Sequence, residues 1–373
     1  MAIVFWKPLS EQGLLKTARK VFDDIIEQDD QVDKYHLQPF FSKSINSQTK
    51  ILFVSDLPNF FQDQKSLLKK IQSFIHFFTN SFSTQHYDVF FSIRHSSQLE
   101  SVREVFPTAL NNIDILYEEM KPPDPPPWKP TLISCLPMSS MGSSAQNNPF
   151  PETSPIKPSL LQIFWPKCFQ EADLIISVNP FTTSNIFTTH GSFASLFFSL
   201  PISSKSMVLV QPAEQKRVHL FTEYLRPLLN KLSYSLLFYE EKKEEEGFLI
   251  LSNDYLSCDT YASALCGFKA LKIPLHRHIH QKKMGLGDIT KINLIGPSFK
   301  KPLHDLSLTK KSKPWNHLDW LSKKCIHCMQ CINACPVTSW KKINNTYQWQ
   351  SSKCIKCGYC IDLCPVCAIQ INY

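Results

Sequence analysis

Two cysteine runs in the last fifty residues constrain this chain more than any other feature. Cys325, Cys328, Cys331 and Cys335 are followed by Pro336, and Cys354, Cys357, Cys360 and Cys364 by Pro365. Both runs read CxxCxxCxxxCP, and Cys354 follows Cys325 by 29 residues. Thiolate is a soft, anionic ligand that suits iron in a sulfide cage. Cysteines at every third position let one short loop wrap a cluster with three ligands, and the fourth cysteine then leads the chain away. The duplicated run predicts two 4Fe-4S clusters rather than a zinc site or a disulfide framework. The prolines remove a backbone donor and stiffen each exit. Interleaved apolar residues (Ile326, Ile332, Val337, Ile355, Ile361, Val366, Ile369) are expected to shield the clusters from water, and burial with few donors to sulfur would lower the potential.

The clusters change how the charge is read. The formal net charge is +8. A 4Fe-4S core of about +2 with four thiolates nets about −2, so two clusters bring the total to roughly +4. The basic excess is then a poor sign of nucleic acid, and no basic helix or aromatic-basic interleaving adds to it, so no nucleic acid partner is expected. No run of about 18 apolar residues occurs, so no membrane span is expected. The start, MAIVFWKPLSEQG, has an apolar patch with no basic region before it. It does not resemble a secretory signal, which points to a cytoplasmic protein. Cys135, Cys168, Cys258, Cys266 and Cys367 lie outside the two runs and read as buried or incidental thiols. Cys367, three residues after Cys364, has a second reading as an alternative cluster ligand.

With 373 residues, two or three domains are expected. Helical spacing of Leu14, Leu15, Ala18, Val21, Phe22 and Ile25 predicts a helix over 11–29. Strands are expected at Ile51–Val54, Val89–Ile93 and Ile113–Tyr117, with helices over 64–79 and 97–104. The Pro- and Ser-rich stretch 121–158 reads as a linker or a long loop. Beyond it the pattern predicts a helix (Leu160–Phe169), a strand (Asp173–Val178), a helix (Ser192–Leu200), a strand (Met207–Val210) and an amphipathic helix (214–230). Strands at Leu236–Tyr239 and Phe248–Leu251 flank EEKKEEEG, a solvated turn. Helices over 256–267 and 271–284 and a strand at Ile292–Ile295 follow. Alternation of this kind implies an α/β body, a mainly parallel sheet with flanking helices. The expected divisions are 1–120 and 159–297 for the two parts of the body, 121–158 for the linker, 298–320 for a connector and 321–373 for the cluster domain.

Residues 315–373 closely resemble bacterial-type two-cluster ferredoxins, above all in KCIKCGYCIDLCPVCAI. The resemblance implies a C-terminal α+β ferredoxin-like domain. It also implies that each fourth cysteine serves the other cluster. The first cluster then takes Cys325, Cys328, Cys331 and Cys364; the second takes Cys354, Cys357, Cys360 and Cys335. The body resembles the bacterial and archaeal family called domain of unknown function 362, which often carries a C-terminal ferredoxin module. The likeness lies in 250–296, with Asp254, Asp259, Gly267, Gly285, Gly287 and Gly296 at the family's acidic and glycine positions, and in EADLIISVNPF at 171–181. Where that family shows a Lys-Thr-His run and a later Lys-Asn, this chain has Thr182, Thr183, Ser184, Ala194, Ser195 and Ser199.

Other motifs are weaker. Gly285-Leu286-Gly287-Asp288 follows a helix and lacks the third glycine of a dinucleotide fingerprint, so it reads as a turn. His276, His278 and His280 could share one face of a strand and bind metal. Their surroundings read as helix, which aligns only His276 and His280. Asp254 and Asp259 form a candidate catalytic carboxylate pair, although capping of the following helix accounts for one of them. The functional expectation is an iron-sulfur electron-transfer protein with an unidentified redox partner protein. The alternatives are a reductase with its substrate in the α/β body, and a structural or cluster-assembly protein.

Overall fold

The computed structural model describes residues 2–9, 13–35, 49–57, 64–82, 87–92, 96–106, 128–133, 161–200, 205, 208–211, 214–240, 247–297, 302–303, 317–333, 335–344, 346–364 and 366–372. The body is built on a seven-stranded sheet. Its strands lie in the order Asn293–Ile295, Ile3–Pro8, Gly247–Ser252, Leu232–Glu240, Leu174–Pro180, Ile51–Asp56 and Tyr87–Ser92. Gly247–Ser252 runs antiparallel to both neighbours, and every other pairing is parallel. The expected mainly parallel α/β body is therefore present.

Alternation along the strands builds a core on each face, because successive side chains point to opposite sides. Ile51 and Phe53 join one core with Val89, Phe91, Ile176 and Val178. Leu52 and Val54 join the other with Phe90 and Ile175. The first core is roofed by the helices Gly13–Tyr35 and Gln64–Phe82. The second helix buries Leu67, Leu68, Ile71, Phe74, Ile75 and Phe78, three or four residues apart, along one stripe. Phe78 meets Phe22 edge-on at 4.9 Å and Phe53 at 5.9 Å, tying both helices to the sheet. The opposite face is covered by the helices Ser192–Phe198, Glu214–Leu225 and Tyr255–Leu265.

Several expectations change. The apolar start is the strand Ile3–Pro8, held between Gly247–Ser252 and Asn293–Ile295, so the first and last parts of the body meet in one sheet. The expected helix Leu160–Phe169 is instead the strand Leu161–Pro166, followed by a short helix, Lys167–Glu171. Its partner is Trp128–Ile133, inside the Pro-rich stretch that reads as a linker. The indole of Trp165, buried, donates to the Tyr224 carbonyl at 2.9 Å and fixes the strand to the neighbouring helix. In place of the strand expected at Met207–Val210, residues 208–209 are helical. The expected strand Val89–Ile93 is the strand Tyr87–Ser92, with Ile93 outside the described residues. The expected strand Ile113–Tyr117, the rest of 121–158 and Cys135 lie outside the described residues, as does most of EEKKEEEG; the strands flanking that run pair antiparallel. The strand His317–Trp320 falls in the expected connector but pairs with Ile369–Asn372.

Because Phe78 joins two helices to the sheet, Phe78→Ala should destabilise the body by about 3–5 kcal/mol. Denaturant unfolding of the body checks this; a loss under about 1 kcal/mol would show that the aromatic contact is dispensable.

Candidate iron-sulfur centre

The 29-residue repeat governs the backbone as well as the cysteines. His317–Trp320 pairs with Ile369–Asn372, and Trp340–Ile343 pairs with Thr346–Trp349. Each ladder joins the opening strand of one half to the closing strand of the other. The halves cannot part without breaking both. Left-handed residues recur in register: His327 (φ 56°) with Lys356 (54°), Met329 (60°) with Gly358 (75°), and Thr338 (48°) with Cys367 (50°). Such a backbone costs a non-glycine residue about 1–2 kcal/mol, so the strain must serve something local.

What it serves is the aim of the N–H groups. His327 donates to Cys325 Sγ and Lys356 to Cys354 Sγ, both at 3.4 Å. Ser339 donates to Cys335 Sγ at 3.2 Å and Ala368 to Cys364 Sγ at 3.1 Å. Successive N–H groups curled in this way form concavities for anions, iron-sulfur sites among them. The donors to sulfur are thus more numerous than expected from sequence, which works against a low potential.

Two groups of thiols emerge. Cys325, Cys328, Cys331 and Cys364 line one small cavity with Trp320, Tyr347 and Ile369. Burial pushes the Cys331 thiol up to about 12, and the nearby Cys328, Cys364 and Cys325 add to the shift. Burial likewise pushes Cys357 up to about 11, with Cys335 and Cys354 adding to it. Cys360 rises well above the usual range by burial, and then by Cys357, Cys354 and Cys335. Thiols packed like this ionise together only beside a compensating cation, and iron supplies that charge. Among the described residues no three His, Cys, Asp or Glu side chains gather round a point that would hold a single metal ion. A four-iron cage makes a different demand, one thiolate at each corner.

The two sites have different surroundings. Cys328 is exposed, as are Ile326 (49 %) and Met329 (38 %), so the cavity they line is open on the side where Ile326 was expected to shield it. Ile369 is buried, in a small core with Leu318, Trp340 and Tyr347. The second run instead faces the body: Tyr359 and Leu363 are buried within the core of the sheet's second face. The Tyr359 ring lies 6.4 Å from Phe197 and 6.3 Å from Phe198. A Cβ on Gly358 would stand 2.6 Å from Asn185 Cβ. Arg217, from the body, favours the Cys357 thiolate by its charge. Cys367 is exposed rather than buried, while Cys258 and Cys266 are buried and Cys168 is half-buried.

The carboxylates singled out in the body hold backbone. Asp254 caps Tyr255–Leu265, accepting from Ser257 N at 2.6 Å, and also accepts from Leu286 N at 3.3 Å. Asp259 is buried and accepts from Ser192 N (2.7 Å) and Phe193 N (3.1 Å), the start of a different helix. Burial raises its pKa to about 6. Asp254 lines an open pocket of about 580 Å³ with Asn230, Asn253, His280 and Lys283; Asp259 does not line it. The histidine trio lies on the helix Pro274–Gln281. His276 is buried, which pushes its pKa down to about 3. His280 accepts from Gly287 N at 3.1 Å, and His278 meets His219 edge-on at 5.5 Å. Residues 285–288 form an irregular turn.

Sequence reasoning missed a buried polar group at the carboxyl ends of two adjacent parallel strands. Asp56 ends one strand and donates its N–H to Asn179 Oδ1, near the end of the next, at 2.7 Å. Asp56 Oδ2 pairs with His190 Nε2 at 2.8 Å, both side chains buried. Asn179 Nδ2 reaches Ser177 Oγ (2.6 Å) and Ser195 Oγ (3.0 Å). The available signal was polar residues closing two apolar strands on either side of a change in strand order.

Residues 320–365 match the 4Fe-4S dicluster domain family. No curated protein matches the chain. Among solved structures, the chain is similar to the lactate racemase apoprotein from Thermoanaerobacterium thermosaccharolyticum, with 10 % identity and a TM-score of 0.36. That alignment covers 66 % of this chain and 53 % of the other. A Thermotoga maritima protein of known crystal structure is similar at 12 % identity, covering 62 % and 54 %, also with a TM-score of 0.36. The chain thus spans about half the length of each. No helix among the described residues is long and apolar enough to cross a membrane.

Met329 shows that the left-handed position accepts a side chain in the first half, so the constraint on Gly358 comes from Asn185. Gly358→Met should leave the iron content unchanged but raise hydrogen exchange in the hairpin of Thr182–Ser184 and Thr188–His190 that carries Asn185. Unchanged exchange there would contradict the contact. With the dicluster match, the paired thiol groups and the inward N–H donors together, the cofactors of this chain are two 4Fe-4S clusters.

Proposed function

We propose that the protein is an electron-transfer protein with a C-terminal domain of the bacterial two-cluster ferredoxin kind. Cys325, Cys328, Cys331 and Cys364 hold the first cluster; Cys354, Cys357, Cys360 and Cys335 hold the second. The observation that carries this is the two-fold recurrence of ladders, left-handed residues and N–H···S bonds about eight thiols in two groups. When bound, each cluster supplies reversible one-electron transfer.

The chain's own residues set the terms of that transfer. N–H groups aimed at the sulfurs favour added negative charge there. Trp320, Tyr347 and Ile369 limit water at the first site, whose open side at Ile326, Cys328 and Met329 is the approach for a redox partner protein. Tyr359 and Leu363 seal the second site against the body. We place the protein in the cytoplasm, where thiols stay reduced, and place its body with the domain of unknown function 362 family on the resemblance in 250–296. A second reading, a reductase acting in the body, is favoured by the open pocket that gathers Asp254, His280 and Lys283.

Anaerobic reconstitution should yield about eight irons and eight sulfides per chain. Cys335→Ser should damage the cluster wrapped by the second run and spare the first. Far fewer irons, or loss of the first cluster alone, would contradict this assignment. Arg217→Gln should lower the potential of the second cluster by tens of millivolts, since a nearby positive charge stabilises the reduced form. An unchanged redox titration would remove Arg217 from the account.

A further inference from the structure

The sheet changes its direction of growth at the strand Ile51–Asp56. From there the chain goes to Tyr87–Ser92 on one side, while Leu174–Pro180 pairs on the other. The crevice at the carboxyl ends of strands around such a point is where α/β sheets place their chemistry. Here that place is filled by the Asp56–His190 pair, at 2.8 Å, with both side chains withdrawn from solvent. Withdrawing a charge-bearing pair from water is costly, and a buried apolar contact would tie the segment down as well.

One ring path leads from this pair to the second cluster's loop. The His190 imidazole stacks on Phe198, with centroids 5.2 Å apart and planes 22° apart. The Phe198 carbonyl is held by Ser92 Oγ at 2.8 Å and Lys205 Nζ at 3.2 Å. Phe198 lies 6.3 Å from the Tyr359 ring. Tyr359 precedes Cys360, and its backbone N–H bonds to the Cys357 sulfur.

We propose that Asp56–His190 is a redox-linked proton site: the pair takes up one proton when an electron reaches the second cluster. This rests on the two-cluster reading above. The electron comes from an external one-electron reductant and the proton from solvent water. The only bond made is the N–H or O–H that holds the proton, and reoxidation releases it. The ionisable groups near the pair include Lys205, at the Phe198 carbonyl, Asp259, at the start of the helix carrying Phe198, and Tyr359, whose ring faces Phe198. Unit charges in an interior of effective dielectric near 20 couple by roughly several-fold in an equilibrium constant. On the one-electron scale of about 59 mV per tenfold, that is some tens of millivolts.

The test is a redox titration of the full holoprotein, followed by EPR at a series of pH values, with proton uptake read by an indicator dye. The wave that moves in Arg217→Gln marks the second cluster. Its potential should fall by some tens of millivolts from the acid to the alkaline plateau, with proton uptake on reduction, while the first wave stays level. Asp56→Asn and His190→Gln should flatten the second wave, and Asp259→Asn should leave it sloping. A level second wave in the wild type would overturn the inference whether or not the variants fold. So would a slope abolished by Asp259→Asn, since the proton would then belong to Asp259. Too few irons would instead defeat the two-cluster reading, so the two failures are distinguishable.

Discussion

Four thiols brought within electrostatic reach of one another in a low-dielectric setting resist ionising together. The terminal module is shaped by that constraint. It meets the cost with iron and with backbone N–H groups aimed at sulfur. Those groups sit on or directly after left-handed residues, His327, Thr338, Lys356 and Cys367, none of them glycine. The strain is held by two ladders that each cross between the halves, so the module folds as one unit around both groups of thiols.

The halves share a backbone plan but face different neighbours. The first half keeps an exposed loop at Ile326, Cys328 and Met329. The second gives up the side chain at Gly358 and seats Tyr359 among the body's phenylalanines. The duplication is therefore symmetric in its ligands and asymmetric in its environment. Two clusters of one chemistry can differ in potential through exposure, sulfur hydrogen bonding and neighbouring charge.

The legible parts of this chain were those decided locally. Cysteine spacing expresses how a short loop wraps a cluster, so the eight cysteines stood out unaided. The stripe from Leu67 to Phe78 is helical in its own spacing, and Ile51–Asp56 is apolar through its first four residues. What failed depended on distant partners. Leu161–Pro166 is too short for periodicity to separate helix from strand, and its partner lies within a proline-rich stretch. Ile3–Pro8 pairs with residues 240 or more positions away. Asp259 was legible as an acid but not as the cap of a helix 67 residues before it. The Asp56–His190 pair and the contact of Tyr359 with Phe198 exist only once the sheet is assembled.

The central claim is that two clusters sit in one cross-tied module, each held partly by the other's half. The EPR spectrum of the fully reduced protein tests it most directly. Two paramagnetic clusters held this close should give a spin-coupled spectrum that differs from the sum of the two half-reduced signals. A fully reduced spectrum equal to that simple sum would contradict the account.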